Sequence, residues 1–239
     1  MLRVFCDFDG TICRDDVGRE FFRTFVGEER AKAIVQDYLD GSITASESLT
    51  RECAAVDDCS EAMFGEFEKK FEVDQSFPAF AQFCSLNQIP LTVLSDGLDK
   101  YVQPILARAK LESVPWFANR LEFKREAKKT TLGVDFPYSD AECDRCGNCK
   151  RNHMLTLSAD EDVIVYIGDG ISDRCPARFA DIVFAKRSLI KYCQLENISF
   201  FEFNDFNDVL KRLEPLVGRK RLKHRREAVM ARRDVFAQG

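Results

Sequence analysis

Histidine is almost missing from this chain. There are two, His153 and His224, in 239 residues. One lies beside a cysteine cluster and the other in a basic tail, so catalysis built on a histidine base is not expected. Positive charge is not in excess either. Lys and Arg number 35 against 40 Asp and Glu, a formal net charge of −5, which is not the basic field of a dedicated nucleic-acid binder. No apolar run approaches the roughly 20 residues that span a bilayer. The opening MLRVFCDFDGTIC carries no basic region, long apolar stretch or small-residue cleavage site of a secretory signal. The expectation is a cytoplasmic protein with no membrane and no nucleic-acid partner. Internal repeats and low-complexity linkers are missing as well.

What is present is a foldable mixture, 45% hydrophobic and 31% charged, with 21 Phe. At about 100–200 residues per domain this is one large domain, or a domain with an insert. Charge is spread unevenly: residues 219–239 hold eight Lys and Arg and two acids, and a solvated or frayed helix end is the plain expectation there. Ten cysteines without a secretion signal point to reduced thiols or a metal site rather than a disulfide framework.

The first apolar run, Leu2–Cys6, ends in Asp-Phe-Asp-Gly and reads as a strand closing in a polar turn. Residues 16–72 then read as helical, with Phe21, Phe22, Phe25, Ile34, Val35 and Tyr38 at near-helical spacing. Gly27, Gly41-Ser42 and Asp57-Asp58 divide that block into four helices. Further strands are expected at Leu91–Leu94, Val163–Ile167, Ile182–Phe184 and Ile198–Phe203, with an irregular hairpin over Phe117–Phe123 and Thr131–Phe136. Helices are expected over Phe80–Leu86, Leu98–Ala109, 173–180, 187–195 and 205–217. A polar, Cys-rich loop, Asp140–Lys150, leads into another helix through Leu157. Short apolar strands alternating with helices give an α/β fold, a Rossmann-like, mostly parallel sheet with helices on both faces. The helical block interrupts that alternation after the first strand. The expected division is a discontinuous core of residues 1–14 and 77–218, a helical insert of 15–76 and a basic tail of 219–239.

Four features fall at predicted strand ends, where open α/β sheets place their ligands. They are Asp7-Phe8-Asp9-Gly10-Thr11, then Ser95, then Lys150, then Gly168-Asp169-Gly170-Ile171-Ser172-Asp173. Each alone is ordinary turn or surface chemistry. Together and in this order they are coherent. Residues two apart on a strand point the same way, so Asp7 and Asp9 are expected to face one crevice. Asp7, Asp9 and Asp169 supply hard oxygen ligands suited to Mg²⁺. Ser95 and Lys150 supply a donor and a fixed positive charge for a phosphate. Mg²⁺ beside a phosphate-binding lysine suggests phosphoryl transfer.

The segments CDFDGTI, VLSDG, the lysine and IGDGISD resemble the four motifs of the haloacid dehalogenase superfamily, across most of the chain. The helical insert resembles the cap of its phosphoserine-phosphatase-like subgroup. The Cys-rich loop running into Lys150 resembles that of the methionine-salvage phosphatases acting on 2-hydroxy-3-keto-5-methylthiopentenyl-1-phosphate. Phosphoethanolamine and phosphocholine phosphatases are also similar, through that loop and the GDG-x-x-D-x-CP pattern of Gly168–Pro176. The resemblance implies roles. Asp7 is the nucleophile that forms an aspartyl-phosphate. Asp9 is the acid and base, and its backbone carbonyl joins Asp7 and Asp169 in holding Mg²⁺. Asp173 orients metal-bound water or Lys150. Ser95, Lys150 and the backbone around Asp96 and Gly97 bind the phosphoryl group, with Lys124 and Lys128 the stand-ins should Lys150 not serve.

Substrate choice falls to the cap, where the resemblance singles out Asp16, nine residues after Asp7, and Arg51. The plain alternative for both is a surface ion pair. Cys143, Cys146, Cys149 and His153 form a C-x2-C-x2-C-x3-H series. It is open to a structural Zn²⁺, to a loop of reduced thiols or to a redox pair. The leading expectation is a Mg²⁺-dependent phosphatase of a small phosphate ester, that of methionine salvage first. The rivals are a phosphoserine- or phosphocholine-type phosphatase and a silent phosphate-binding module.

Overall fold

In a strand covered on both faces, successive side chains must feed two separate cores. The first strand, β1 (Leu2–Cys6), does this: Val4 and Cys6 join one apolar cluster and Phe5 the other. The computed structural model describes residues 1–140, 143, 145–219 and 221–238. Among them six more strands follow: β2 (Leu91–Leu98), β3 (Trp116–Arg125), β4 (Thr130–Asp135), β5 (Val163–Gly168), β6 (Ile182–Ala185) and β7 (Phe201–Glu202). The sheet order is β4-β3-β2-β1-β5-β6-β7. Every pairing is parallel except the β3–β4 hairpin. β5 repeats the two-faced pattern, with Val163, Val165 and Ile167 on one side and Ile164 and Tyr166 on the other.

Between β1 and β2 the chain first makes an insert of four helices: α1 (Val17–Val26), α2 (Glu28–Leu39), α3 (Ala45–Ala54) and α4 (Glu61–Glu68). Their starts are written locally. Asp16 and Ser60 accept from the backbone N–H three residues on, and Thr44 makes a reciprocal capping box with Glu47. Phenylalanine fills their common core, with Phe21 4.7 Å from Phe64 and 5.4 Å from Phe67, centroid to centroid. The chain leaves for these helices and returns through one neck. Cys13 pairs with Val73, Asp74 N–H donates to the Ile12 carbonyl at 2.7 Å, and Arg14 meets Asp74 at 2.6 Å. The far side of the insert rests on the rest of the fold. Ala45 N–H donates to the Arg145 carbonyl and Cys59 N–H to the Thr130 carbonyl, both at 2.9 Å.

The remaining helices are α5 (Phe77–Leu86), α6 (Asp99–Arg108), α7 (Lys150–Thr156), α8 (Arg174–Phe179), α9 (Arg187–Leu195), α10 (Phe206–Leu213) and α11 (Arg226–Gln238). Residues of α5, α6 and α10 share the Val4 cluster, and those of α7, α8 and α9 the Phe5 cluster. No helix among the described residues is long and apolar enough to cross a membrane.

The structure differs from the sequence expectation in three places. β2 runs on through Ser95–Gly97 to Leu98, with its register on β3 shifting between Leu94 and Leu98. The expected strand at Ile198–Phe203 shrinks to β7, two exposed residues at the sheet edge with a neighbour on one side only. The third is the tail. Arg219, Arg221 and Lys223 are exposed, but α11 packs on α8 around the fully buried carboxylate of Asp181. That carboxylate accepts from Ile164 N–H (2.9 Å), Arg225 N–H (3.0 Å) and Arg232 (3.2 Å). Lys220 and Gly239 lie outside the described residues. Removing one partner of a buried ion pair costs about 3–5 kcal/mol. Asp181→Ala is therefore expected to lose that much in a urea titration, and a loss below about 1 kcal/mol would take α11 out of the cooperative fold.

Candidate active site

The parallel register brings three loop starts to one edge of the sheet. Cys6 lies between Val93 of β2 and Ile167 of β5, so Asp7, Ser95 and Asp169 emerge side by side. Asp7 N–H still donates to the Ile167 carbonyl at 2.9 Å, an extension of the ladder that fixes Asp7 against β5. Residues Phe8–Ile12 then make a tight turn through Gly10 at φ 71°. A side chain there would be strained, and its Cβ would collide with the Asp169 carboxylate and the Arg187 guanidinium.

The carboxylates of Asp7, Asp169 and Asp173 offer oxygens that all lie within 4.8 Å of one another. Lys150, the buried first residue of α7, bridges two of them, with Nζ 2.5 Å from Asp7 and 2.8 Å from Asp173, and donates to Ser172 Oγ at 2.9 Å. Burial opposes its charge, but Asp173 and Asp7 outweigh burial and raise the ammonium above its usual range. Burial, then Asp173, pushes Asp7 well above the usual carboxylate range, and Lys150 pulls it back. Burial and Asp173 push Asp169 up to about 6, against Arg187 at 3.0 Å. Three carboxylates against Lys150 and Arg187 still leave one uncompensated negative charge on hard oxygens, which is the donor set of a divalent cation such as Mg²⁺. Asp173 is already fully engaged. Besides Lys150 it accepts from Tyr166 OH (2.5 Å), Asp169 N–H (2.8 Å) and Gly170 N–H (2.9 Å), and so holds these neighbours in place.

The Asp9 carboxyl stands outside the Lys150 cluster, turned toward Ser95 of the neighbouring strand. It accepts from Val17 N–H at 2.9 Å, Tyr101 OH at 2.7 Å and Ser95 Oγ at 3.2 Å. Only its backbone carbonyl is left to offer a cation. Burial, then the charge of Asp16, pushes it up to about 7, so near neutral pH it can hold a proton and give it away. Ser95 Oγ also accepts Gly97 N–H at 3.0 Å. A Cβ on Gly97 would strike the Tyr101 hydroxyl and the Asp9 carboxylate, so only glycine lets Tyr101 reach Asp9. The Asp96 side chain accepts from Asn148 N–H at 3.2 Å, and its backbone carbonyl accepts from Asn119 Nδ2 at 2.8 Å.

Residues 4–178 match the haloacid dehalogenase-like hydrolase family. The chain belongs to that family. A Bacillus mycoides protein named 2-hydroxy-3-keto-5-methylthiopentenyl-1-phosphate phosphatase is 30% identical over 219 residues, 90% of this chain and 97% of the relative. A protein of the same name from Exiguobacterium sibiricum is 29% identical over 216 residues, 89% of this chain and 96% of the relative. Among solved structures, the phospho-aspartyl intermediate analogue of a phosphoserine phosphatase superposes with a TM-score of 0.66 at 20% identity, covering 89% of this chain and 99% of that one. A family hydrolase from Salmonella enterica serovar Typhi gives 0.69 at 18% identity, covering 91% and 71%. These two establish a shared fold.

In this haloacid dehalogenase-like hydrolase the two expected cap residues part company. Asp16 caps α1, accepting from Arg19 N–H at 2.9 Å, and its charge reaches Asp9. Arg51 does not join it. Its guanidinium pairs with Asp37 at 3.3 Å on the exposed side of α3, both side chains half in solvent, because residue 51 falls outside the buried stripe of that helix. Lys124 is also taken at the surface, by Glu122 at 3.6 Å.

The cysteine series does not close around a metal among the described residues; Ala141, Glu142 and Asp144 lie outside them. Cys143 and Cys146 Sγ are 4.0 Å apart, while Cys149 donates to Asp140 at 3.7 Å. His153 is elsewhere: it stacks on Phe117 with centroids 4.1 Å apart, and its Nε2 bonds Asn148 Oδ1 at 2.7 Å. Asn148 in turn donates to the Ser95 carbonyl at 2.7 Å and the Phe117 carbonyl at 3.1 Å. The loop therefore braces the Ser95 and Lys150 segments through Asn148 and His153. Asn148, Tyr101, Tyr166 and Arg187 were missed from sequence. The helical phase of α6, which buries Tyr101 with Val102 and Ile105, was the one available signal.

Burial lowers His153 to about 4, so the fold keeps it neutral where an unfolded chain protonates near 6.5. Its contribution to stability is complete above about pH 6.5 and is lost as pH falls toward 4, because the unfolded state binds the extra proton. The melting temperature of the wild type is expected to fall more steeply through that window than that of His153→Gln. Equal slopes would contradict the assignment.

Proposed function

We propose that this hydrolase is a Mg²⁺-dependent phosphatase of a small phosphorylated metabolite, acting through an aspartyl-phosphate on Asp7. The observation that carries the reading is the separation of its two motif carboxyls. Asp7 sits against the Lys150 ammonium, while Asp9 sits apart against Ser95 with its proton affinity raised to near neutrality. A nucleophile must be ionised and an acid must hold a proton: Lys150 favours the ionised Asp7 against burial and the Asp173 charge, whereas Asp9 has no cation beside it.

A carboxylate oxygen of Asp7 attacks phosphorus, and the ester P–O bond breaks as the leaving oxygen takes the proton from Asp9. Asp9, now ionised, takes a proton from a water that attacks the same phosphorus. The bond from phosphorus to Asp7 breaks, releasing inorganic phosphate. Lys150 stays charged beside Asp7 and meets the negative oxygens of the phosphoryl group. Tyr101 and Val17 N–H hold the Asp9 carboxyl toward Ser95. Asp7, Asp169 and the Asp9 carbonyl would hold Mg²⁺, with Asp173 steadying Lys150 and the Asp169 backbone. When bound, the cation supplies charge neutralisation for the approach of one anion to another.

The helical insert is read as a cap over this edge of the sheet and the site as cytoplasmic. The first substrate to test is 2-hydroxy-3-keto-5-methylthiopentenyl-1-phosphate, for which the relatives spanning nine-tenths of the chain are named. The surface pairing of Arg51 with Asp37 does not favour the phosphoserine reading, which rests on that cation.

Hydrolysis of p-nitrophenyl phosphate is expected to stop with EDTA and return with Mg²⁺, while Ca²⁺, with its larger and looser shell, restores little. Asp7→Asn is expected to lower turnover at least about a thousandfold with the circular dichroism spectrum unchanged. Metal-independent turnover, or an active Asp7→Asn protein, would sink the mechanism.

A further inference from the structure

Adjacent residues of opposite charge leave α3 on opposite sides. Its buried face is Ser48, Leu49, Glu52 and Cys53, the stripe of an amphipathic helix. Arg51 falls outside the stripe and meets Asp37 at the surface. Glu52 falls on it and is 9% exposed.

A buried carboxyl ordinarily has a partner. Among the described residues Glu52 has neither a hydrogen-bond donor nor a counter-ion. The fully occluded, unpartnered side-chain atoms belong to Asn119, Arg151, Ser158 and Arg225, so the Glu52 oxygens keep an opening toward solvent. Burial, then the charge of Asp16, pushes the Glu52 carboxyl up to about 8, and no basic group acts on it. Asp16 is also the strongest charge on Asp9, and α1 packs on α3. α1, the helix that Asp16 caps, packs on both α3 and the Phe8–Ile12 turn, so the elements that carry Glu52 and Asp9 meet through it.

We propose that Glu52 is a specificity-determining residue whose carboxyl accepts a hydrogen bond from a donor on the leaving group, at the end of the substrate away from phosphorus. The assignment rests on the phosphatase reading and adds the substrate class, a phosphoester whose leaving group carries a hydroxyl or an ammonium. The insert supplies Glu52 with no partner, and the substrate completes it. Leaving a site's buried polar group unpaired is what makes such a site reject analogues that lack the donor.

The experiment measures kcat/KM of wild type, Glu52→Ala, Glu52→Gln and Arg51→Ala on three phosphoesters. They are 2-hydroxy-3-keto-5-methylthiopentenyl-1-phosphate, phosphoethanolamine and p-nitrophenyl phosphate, which has no donor. Glu52→Ala is expected to lower the ratio of the best donor-bearing ester to the aryl ester by about tenfold to a hundredfold. Arg51→Ala is expected to leave that ratio alone. With a hydroxyl donor, Glu52→Gln keeps an accepting oxygen and recovers most of the ratio. With an ammonium donor, phosphoethanolamine is the preferred ester and the uncharged Gln is as poor as Ala. A ratio that Glu52→Ala leaves unmoved, or that Arg51→Ala moves as far, overturns the assignment and leaves the phosphatase reading standing. So does an equal loss on all esters with a lowered melting temperature, the mark of a structural role. A wild type that cleaves only the aryl ester overturns the substrate class and Glu52 with it, and one that cleaves none overturns the phosphatase reading itself.

Discussion

Lys150 lies fully inside the protein between the carboxylates of Asp7 and Asp173, and most of the surrounding structure exists to make that placement tolerable. Burying an ammonium costs several kcal/mol unless close, well-oriented anions offset it. Two carboxylates and the Ser172 hydroxyl meet all three of its donors. The arrangement requires β1 and β5 to be neighbours in register, so that Asp7 and Asp173 approach from two strand ends. It also requires Gly10, because any side chain there would occupy the space of Asp169 and Arg187. The third carboxylate, Asp169, then makes the cluster over-negative, and that excess is what suits it to a divalent cation and a phosphoryl group together.

A second dependence runs through the helical insert. The backbone N–H that holds the Asp9 carboxyl belongs to Val17, the first residue of α1. The charge that helps keep Asp9 protonated belongs to Asp16, the cap of the same helix. Acid–base chemistry and the start of the insert are therefore one local structure. The neck that ties the insert to the sheet, Cys13 on Val73 and Arg14 on Asp74, fixes where that helix begins.

Much of this was visible in the sequence because it depends on short-range pattern. Leu2–Cys6 and Val163–Ile167 show themselves as buried strands by apolar run alone, Asp7, Ser95 and Asp169 by their position after such runs, and Lys150 by its place where the Cys-rich loop meets a helix. Four helices in residues 16–72 follow from Phe spacing and Gly or Asp punctuation. What was hidden depends on helical phase or on contacts distant in the chain. Resemblance to the family's cap selects Arg51, but one residue is about 100° of helix, and it is Glu52 that turns inward. His153 sits in ligand spacing from three cysteines, yet Phe117 and Asn148, which hold it, come from a different strand and from the loop itself. The tail is basic by composition, but the Arg225 backbone N–H and the Arg232 guanidinium are partners of Asp181, more than 40 residues earlier. No local pattern announces such a pairing.

The account stands on covalent transfer to Asp7 with Asp9 needed to release the phosphoryl group, and trapping that species tests it most directly. An aryl phosphate has a leaving group good enough to depart without an acid, whereas hydrolysis of the acyl phosphate still needs Asp9 as base. Asp9→Asn mixed with p-nitrophenyl phosphate and Mg²⁺, quenched in acid and digested, should yield the peptide of residues 4–14 heavier by one phosphoryl group, with the modification on Asp7. A quenched protein that carries no phosphoryl group while p-nitrophenol is released, or one that carries it on another residue, would contradict the account.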